Sequence, residues 1–538
     1  MMLDLKEWQN QRTDFESHGV QLPAYNVAAV KAAGSAQPVW VHVGGGNLYR
    51  TFHAVVADDL LDEGLMDRGV VVADVRSPFT VDEVYRPNHD DILMATMKED
   101  GTLGKRVLAS TAKSLFANPQ RSADWEQMKA YFENSDLQLA TYTITEKGYG
   151  LKDSQGELTE VAKADIAAGP AAPKTAMGIT TALLFARFES GAAPIAMVTT
   201  DNFSQNGKKF RDSVLTVAEG WAKNGLVPQE FVAYVSDESR VSFPWSMIDR
   251  ITPNPSIDVE EKLIAEGFTG MDIKTNPSGT AFAAFANTEV AHYLVIEDSF
   301  PNGRPALDKA GVILTDRKTA ERADTMKVTA CLNPLHTCLA IYGCLLGYTR
   351  IWQEMEDADL VALIKHLGYD EDLPVVEDPK VIDPKEFIAE LLEHRLPNKS
   401  LPDAPQRIAS DTSQKIPVRY GHTIQAYVAA DKDVASLTYI PLVAAGWLRY
   451  LLGVDDEDNE FNPSPDPLLA EMQQHLAGVK LGSQDAAAVH AAAQPILSNA
   501  NIFGADLYEV GLGEKIEGMF LEMLAGTGAV RKTIQKYL

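Results

Sequence analysis

Across residues 1–300, short runs of apolar, β-branched side chains alternate with stretches whose apolar positions recur at helical spacing. "PVWVHVG" (38–44) and "GVVVADV" (69–75) predict strands, with a helix over 47–63 between them. "LQLATYTITE" (137–146), "PIAMVTTDN" (194–202) and "FVAYVSD" (231–237) predict three more, separated by helices over 174–189 and 207–224. Strands covered on both faces read as nearly continuous apolar runs, so this alternation predicts an α/β domain with a largely parallel sheet. The pattern changes near residue 300. "EDSFPNGRPALDKAG" (297–311) is turn-rich, and helical spacing dominates afterwards, over 325–348, 358–367, 384–394 and 434–452. The expected organisation is an α/β domain over 1–300 followed by a mostly α-helical domain over 301–538. The acidic "DDEDNEF" (455–461) reads as a solvated loop.

Composition narrows the function. The chain has 538 residues, 45% hydrophobic and 23% charged, which suits two cores of ordinary size. Lys and Arg number 48 against 75 Asp and Glu, a net charge of −27. That sign disfavours nonspecific binding to nucleic acid or to an anionic membrane. The first residues, "MMLDLKEWQNQRTDFESHG", have no apolar signal-peptide core, and no run approaches the ~18 apolar residues of a membrane helix. Cys331, Cys338 and Cys344 fall in one segment at spacings that suit neither a disulfide framework nor a metal knuckle. They read as free thiols in a reducing cytoplasm.

Gly44, Gly45 and Gly46 stand directly between a predicted strand and a predicted helix. A dinucleotide fold needs glycine there for a tight turn and for close backbone approach to a pyrophosphate at the helix N-terminus. Gly44-x-Gly46 fits two of the three usual glycines; Tyr49 occupies the third position. The following strand ends at Asp74, where a carboxylate can bind a ribose 2′-hydroxyl and repel a 2′-phosphate. This favours NAD over NADP, although Arg76 stands close by.

Eight ordered stretches carry a resemblance: "GGGNLYRTFHA" (44–54), "YRPNHDD" (85–91), "TITEKGY" (143–149), "TTDNFSQNGK" (199–208), "FPWSMIDRITP" (243–253), "VIEDSFPNGRP" (295–305), "KVTACLNPLHTCLA" (327–340) and "RIASDTSQKIPVRYG" (407–421). Together they resemble the mannitol dehydrogenase family of polyol-specific long-chain dehydrogenases. The resemblance implies a Rossmann-type first domain, a helical second domain and metal-independent hydride transfer using NAD. It also implies the site residues. Lys327 matches the catalytic lysine, acid in reduction and base in oxidation. Asn202 and Asn333 match two amides that steady the alkoxide, and His336 matches a histidine that orients the substrate. Arg407 and Lys415, with Arg419 beside them, match substrate-binding cations. Gly44, Gly45, Gly46, Asn47, Asp74 and Asp249 match the cofactor side. Separately from the resemblance, a water bound to Glu146 or a solvent path is the expected route for the proton. "VHVGGGNLYRTFHA" and "CLNPLHT" are most similar to the fructuronate reductase branch, which implies a sugar-acid substrate. Mannitol 2-dehydrogenase, tagaturonate reductase and an inactive NAD-binding sensor are the alternatives.

One spacing departs from the family. In mannitol-oxidising members the lysine precedes the asparagine by five positions; here Lys327 precedes Asn333 by six. On a continuous helix Lys327 and His336 would lie about 180° apart. They act together only if the backbone is irregular. Pro334 is the expected cause, with Asn333 capping a helix that begins there.

Overall fold

The computed structural model describes residues 2–153 and 156–538. It divides into two compact units, Met1–Glu321 and Arg322–Leu538. The first is built on a mostly parallel sheet and the second is mostly helical, as the pattern predicts.

Six strands form the principal sheet of the first unit: β1 (Trp40–Val43), β2 (Val70–Asp74), β3 (Thr111–Phe116), β4 (Leu139–Tyr142), β5 (Ile195–Thr199) and β6 (Val241–Ser242). All pairings are parallel, in the spatial order β6-β5-β4-β1-β2-β3. This is the doubly wound order, in which the direction of winding reverses between β1 and β4. Val41, Val43, Val71 and Ala73 point to one layer and Trp40, Val70 and Val72 to the other, so both faces are buried by packed side chains. A smaller sheet orders Phe285–Thr288, Ile92–Met97, Leu103–Leu108 and Val20–Gln21, and a third joins Ser246–Asp249, Tyr293–Glu297 and Ile313–Thr315.

Of residues 231–237, expected as a strand, 231–236 belong to the helix Gln229–Ser236 and Asp237 is its C-cap. Phe231, Val232, Tyr234 and Val235 are buried at helical spacing, and Phe231 stacks edge-on against Phe185 at 5.1 Å. A four-residue apolar cluster serves either period, and packing against a neighbouring helix decided the matter.

The long helices expected in the second unit are interrupted. Residues 325–348 divide into the end of Arg317–Met326, a π-helical turn Lys327–Cys331 and the helix Asn333–Leu345. Residues 384–394 become Pro384–Glu390 plus a π-turn Leu391–Arg395. Two further π-turns, Leu367–Asp372 and Pro417–Gly421, pack against Lys327–Cys331. The run Arg317–Leu345 is long and apolar enough to cross a membrane, contrary to the sequence expectation, yet 78% of its most apolar window is buried inside the protein as core. The acidic loop is also corrected in part: Asp456 is buried, where it accepts from the Val530 and Arg531 backbone N–H groups at the start of Ala529–Tyr537.

Candidate active site

The first unit supplies a turn shaped by what it excludes. Gly44 has φ +109°, and a Cβ there would stand 2.1 Å from the Thr143 carbonyl oxygen, beyond the end of β4. A Cβ on Gly45 would stand 2.9 Å from the Tyr85 ring, whose hydroxyl donates to the Gly45 carbonyl at 2.8 Å. On Gly46 it would meet nothing within 4 Å. The turn is pressed against β4 on one side and open at Gly46. The helix that follows starts there, with Arg50 N–H bonded to the Gly46 carbonyl at 3.1 Å. Asn47 Nδ2 donates to the Pro253 carbonyl at 2.9 Å, while its Oδ1 is buried without a partner. Asp74 ends β2 beside this turn; burial pushes its carboxyl up to about 6, so it is mainly ionised at neutral pH. An open glycine turn, an orphaned amide oxygen and an acidic strand end at the winding switch fit a dinucleotide.

Two other strand ends carry polar machinery. Asn202 follows β5 and is exposed. Its neighbour Asp201 is buried and accepts from Ile144 N–H at 2.8 Å, Thr145 N–H at 3.0 Å and Tyr149 hydroxyl at 2.7 Å. That clamp holds Thr145 at φ +65°, a conformation that a β-branched residue rarely takes. Asp249 is buried at the end of Ser246–Asp249. The adjacent Arg250 reaches Thr288 Oγ1 at 2.8 Å and the Glu289 carbonyl at 3.1 Å, a structural use. Glu146 is exposed, pairs with Lys209 at 2.8 Å and lines a cleft of about 600 Å³ with Ser204, Gln205, Lys208 and Asp212.

In the second unit Lys327 is only 1% exposed, and its Nζ lies 3.6 Å from Asp324 Oδ1. It opens the π-turn, closed by Leu332 N–H to the Lys327 carbonyl at 3.2 Å. The irregularity is therefore earlier than Pro334. Leu332 takes φ −125°, ψ −61°, and Asn333 is the first helical residue rather than a side-chain cap. Pro334 sits in the first turn, where its missing N–H costs nothing. A π-turn inserts one residue into the helical ladder, and here it interrupts the register between Lys327 and Asn333.

Around the start of Asn333–Leu345 the structure gathers residues from distant segments. Arg419 Nη1 donates to the Asn333 carbonyl at 3.2 Å and also bonds Thr337 Oγ1. His336 Nε2 is buried without a hydrogen bond, 3.6 Å from Asp403 Oδ2. Burial lowers the His336 imidazole to about 4; Asp403 opposes this, and Arg419, Arg407 and Arg395 reinforce it. The ring is neutral at pH 7. Arg407 pairs with Asp403, and Lys415 Nζ donates to the Ile408 carbonyl at 2.9 Å. Sequence reasoning missed Asp403, Arg395, Asp324 and Asp201. Asp201 lay inside a quoted motif; Asp403 and Arg395 are brought close only by the fold.

Comparison with known proteins follows the same division. Residues 38–309 match the mannitol dehydrogenase Rossmann domain, and residues 323–520 match the mannitol dehydrogenase C-terminal domain. A D-mannonate oxidoreductase from Thermotoga maritima is 48% identical over 534 residues, covering 99% of this chain and 98% of the relative. Among solved structures, the Pseudomonas fluorescens mannitol 2-dehydrogenase ternary complex with NAD and D-mannitol is 26% identical, with TM-score 0.70 and 96% of each chain covered. D-sorbitol dehydrogenase in substrate-free form shares the fold at 23% identity and TM-score 0.78, covering 96% of this chain and 97% of that one.

Proposed function

The chain belongs to the mannitol dehydrogenase family and is an NAD-dependent oxidoreductase, and we propose that it interconverts D-fructuronate and D-mannonate. The single observation that carries this substrate is the 48% identity to a D-mannonate oxidoreductase along essentially the whole chain. The cations at the start of Asn333–Leu345 support it, because they suit a sugar-acid carboxylate.

Bound NAD supplies the hydride chemistry. The Gly44–Gly46 backbone and Asn47 would hold the pyrophosphate, Asp74 would hold the adenosine ribose, and Asp249 would serve the nicotinamide side. Lys327 donates a proton to the carbonyl oxygen during reduction and removes it during oxidation. Its burial keeps bulk water from competing for that proton, and Asp324 fixes the ammonium. Asn202 and Asn333 are the amides assigned to the developing oxyanion, where a preplaced donor contributes most. Neutral His336 orients the substrate hydroxyls. Arg407, Lys415 and Arg419 serve the rest of the sugar. The buried thiols Cys331, Cys338 and Cys344 and the charge of −27 support a cytoplasmic enzyme with a small-molecule substrate and no nucleic-acid or membrane partner.

The test is NADH oxidation, followed by absorbance, with D-fructuronate, D-tagaturonate and D-fructose. The reading requires the highest kcat/KM on D-fructuronate. A preference for D-fructose would make the enzyme a polyol dehydrogenase, and NADH binding without turnover of any of the three would make it a sensor.

A further inference from the structure

Three successive glycines give the turn after β1 little conformational preference of its own, because glycine takes either sign of φ readily. Which way each peptide faces is decided from outside the turn. The Gly44 carbonyl accepts from Thr143 Oγ1 at 2.9 Å and lies 3.1 Å from His42 Nε2, which is also 2.8 Å from Thr143 Oγ1. The Gly45 carbonyl accepts from the Tyr85 hydroxyl at 2.8 Å. His42 and Tyr85 are buried, so water does not compete for these bonds. His42 is itself fixed. The Trp40 indole N–H, which can only donate, reaches Thr141 Oγ1 at 2.7 Å, and Thr141 Oγ1 lies 2.7 Å from His42 Nδ1. The Gly44 carbonyl can only accept, so the ring proton sits on Nε2 and faces it, while Nδ1 accepts from the Thr141 hydroxyl. In that tautomer every donor from Trp40 to Gly44 has an acceptor.

No peptide bond here is cis. In a trans peptide the N–H points opposite to the preceding C=O. Holding the Gly44 carbonyl toward Thr143 and His42 therefore turns the Gly45 N–H the other way, and holding the Gly45 carbonyl on Tyr85 does the same for the Gly46 N–H. Neither N–H meets a backbone acceptor among the described residues. We propose that Tyr85 and the His42–Thr143 pair are positioning residues for the cofactor: they set two successive peptide planes so that the Gly45 and Gly46 N–H groups meet the pyrophosphate already oriented. This rests on the assignment of the pyrophosphate to that turn. Because the bonds exist before the cofactor arrives, binding does not have to order two glycine peptides. The Gly45 carbonyl has one such side-chain donor and the Gly44 carbonyl has two, so Tyr85 is the more consequential of the pins.

The experiment uses the full-length enzyme and measures NADH affinity by fluorescence titration, and the affinities of ADP-ribose and adenosine by displacement of NADH. The variants are Tyr85→Phe, Thr143→Val, Thr143→Ser and Gly46→Ala, each checked for folding by its urea midpoint. In Tyr85→Phe, NADH and ADP-ribose bind at least about fivefold more weakly, the range of one lost hydrogen bond, while adenosine, which has no phosphate, keeps its affinity. Thr143→Val shows the same selectivity with a smaller loss, because His42 still donates, and Thr143→Ser restores the wild-type affinity. That pair decides the matter should Tyr85→Phe not fold. Gly46→Ala puts a methyl on the open side, where the protein has room, so it weakens NADH and ADP-ribose by collision with the pyrophosphate. If Gly46→Ala has that effect while the Tyr85 and Thr143 variants bind all three ligands normally, or lose adenosine as much as ADP-ribose, the positioning role is overturned and the turn keeps its assignment. If Gly46→Ala binds NADH and ADP-ribose as wild type does, the pyrophosphate lies elsewhere and both readings fall.

Discussion

The glycine turn after β1 and the π-turn at Lys327 both place chemistry at the beginning of a helix, by opposite means. At Gly44–Gly46 the backbone is the proposed functional group, and side chains are excluded at Gly44 and Gly45, where an added Cβ would stand as close as 2.1 Å to a neighbouring carbonyl. At Lys327–Asn333 the side chains are the proposed functional groups, carried on an irregular backbone. The first solution is local: strand, three glycines, helix. The second depends on Asp324, Arg419, Asp403 and the π-turns packed around it. A site made of backbone is therefore insensitive to most neighbours and intolerant of a single methyl group, whereas a site made of buried charge is sensitive to each of its partners.

The largest way to break this contrast is Lys327→Met, which removes the proposed proton donor and keeps the volume. Turnover falls by about a thousandfold or more, the range of general acid catalysis, as read by NADH oxidation under saturating substrate. Next is Gly44→Ala. Positive φ and a Cβ against the Thr143 carbonyl destabilise the first unit by at least about 2 kcal/mol and weaken NADH binding, measured by urea unfolding and fluorescence titration. The third effect concerns His53, buried beside the turn at 4.6 Å from the His42 ring and bonded through Nε2 to Thr200 Oγ1 at 2.9 Å. Burial lowers its imidazole from 6.5 to about 4. Between those values the unfolded chain binds the extra proton, so stability rises with pH there and is lost as pH falls below 6.5. At pH 5 this costs about 2 kcal/mol, and His53→Gln should lose that much less than wild type between pH 7 and pH 5. The smallest is Thr145→Gly, which relieves φ +65° and stabilises by about 1 kcal/mol, visible as a higher urea midpoint.

The same contrast explains what could be read from the sequence. Four of the six principal strands coincide with the predicted apolar runs, whereas Thr111–Phe116 and Val241–Ser242 were not expected, and the glycine cluster falls at the switch, because those features are set by neighbours in the chain. Phe231–Val235 was misread since four apolar residues fit either period, and a helix partner settled it. Lys327, Asn333 and His336 stood out as polar residues in an apolar segment, and the need for an irregular backbone followed from their spacing. The form of that irregularity did not, because a proline signals a break locally whereas the π-turn Lys327–Cys331 is packed against segments distant in sequence. Asp403 could not be found at all: 67 residues separate it from His336, and only the fold makes it a neighbour.

The most direct test joins the two regions in one assay: NADH titration and D-fructuronate turnover on wild type and Lys327→Met. The account predicts NADH affinity within about twofold of wild type, since the glycine turn is untouched, with turnover down by about a thousandfold or more. Turnover retained in the variant would contradict the central assignment and move the proton to another residue.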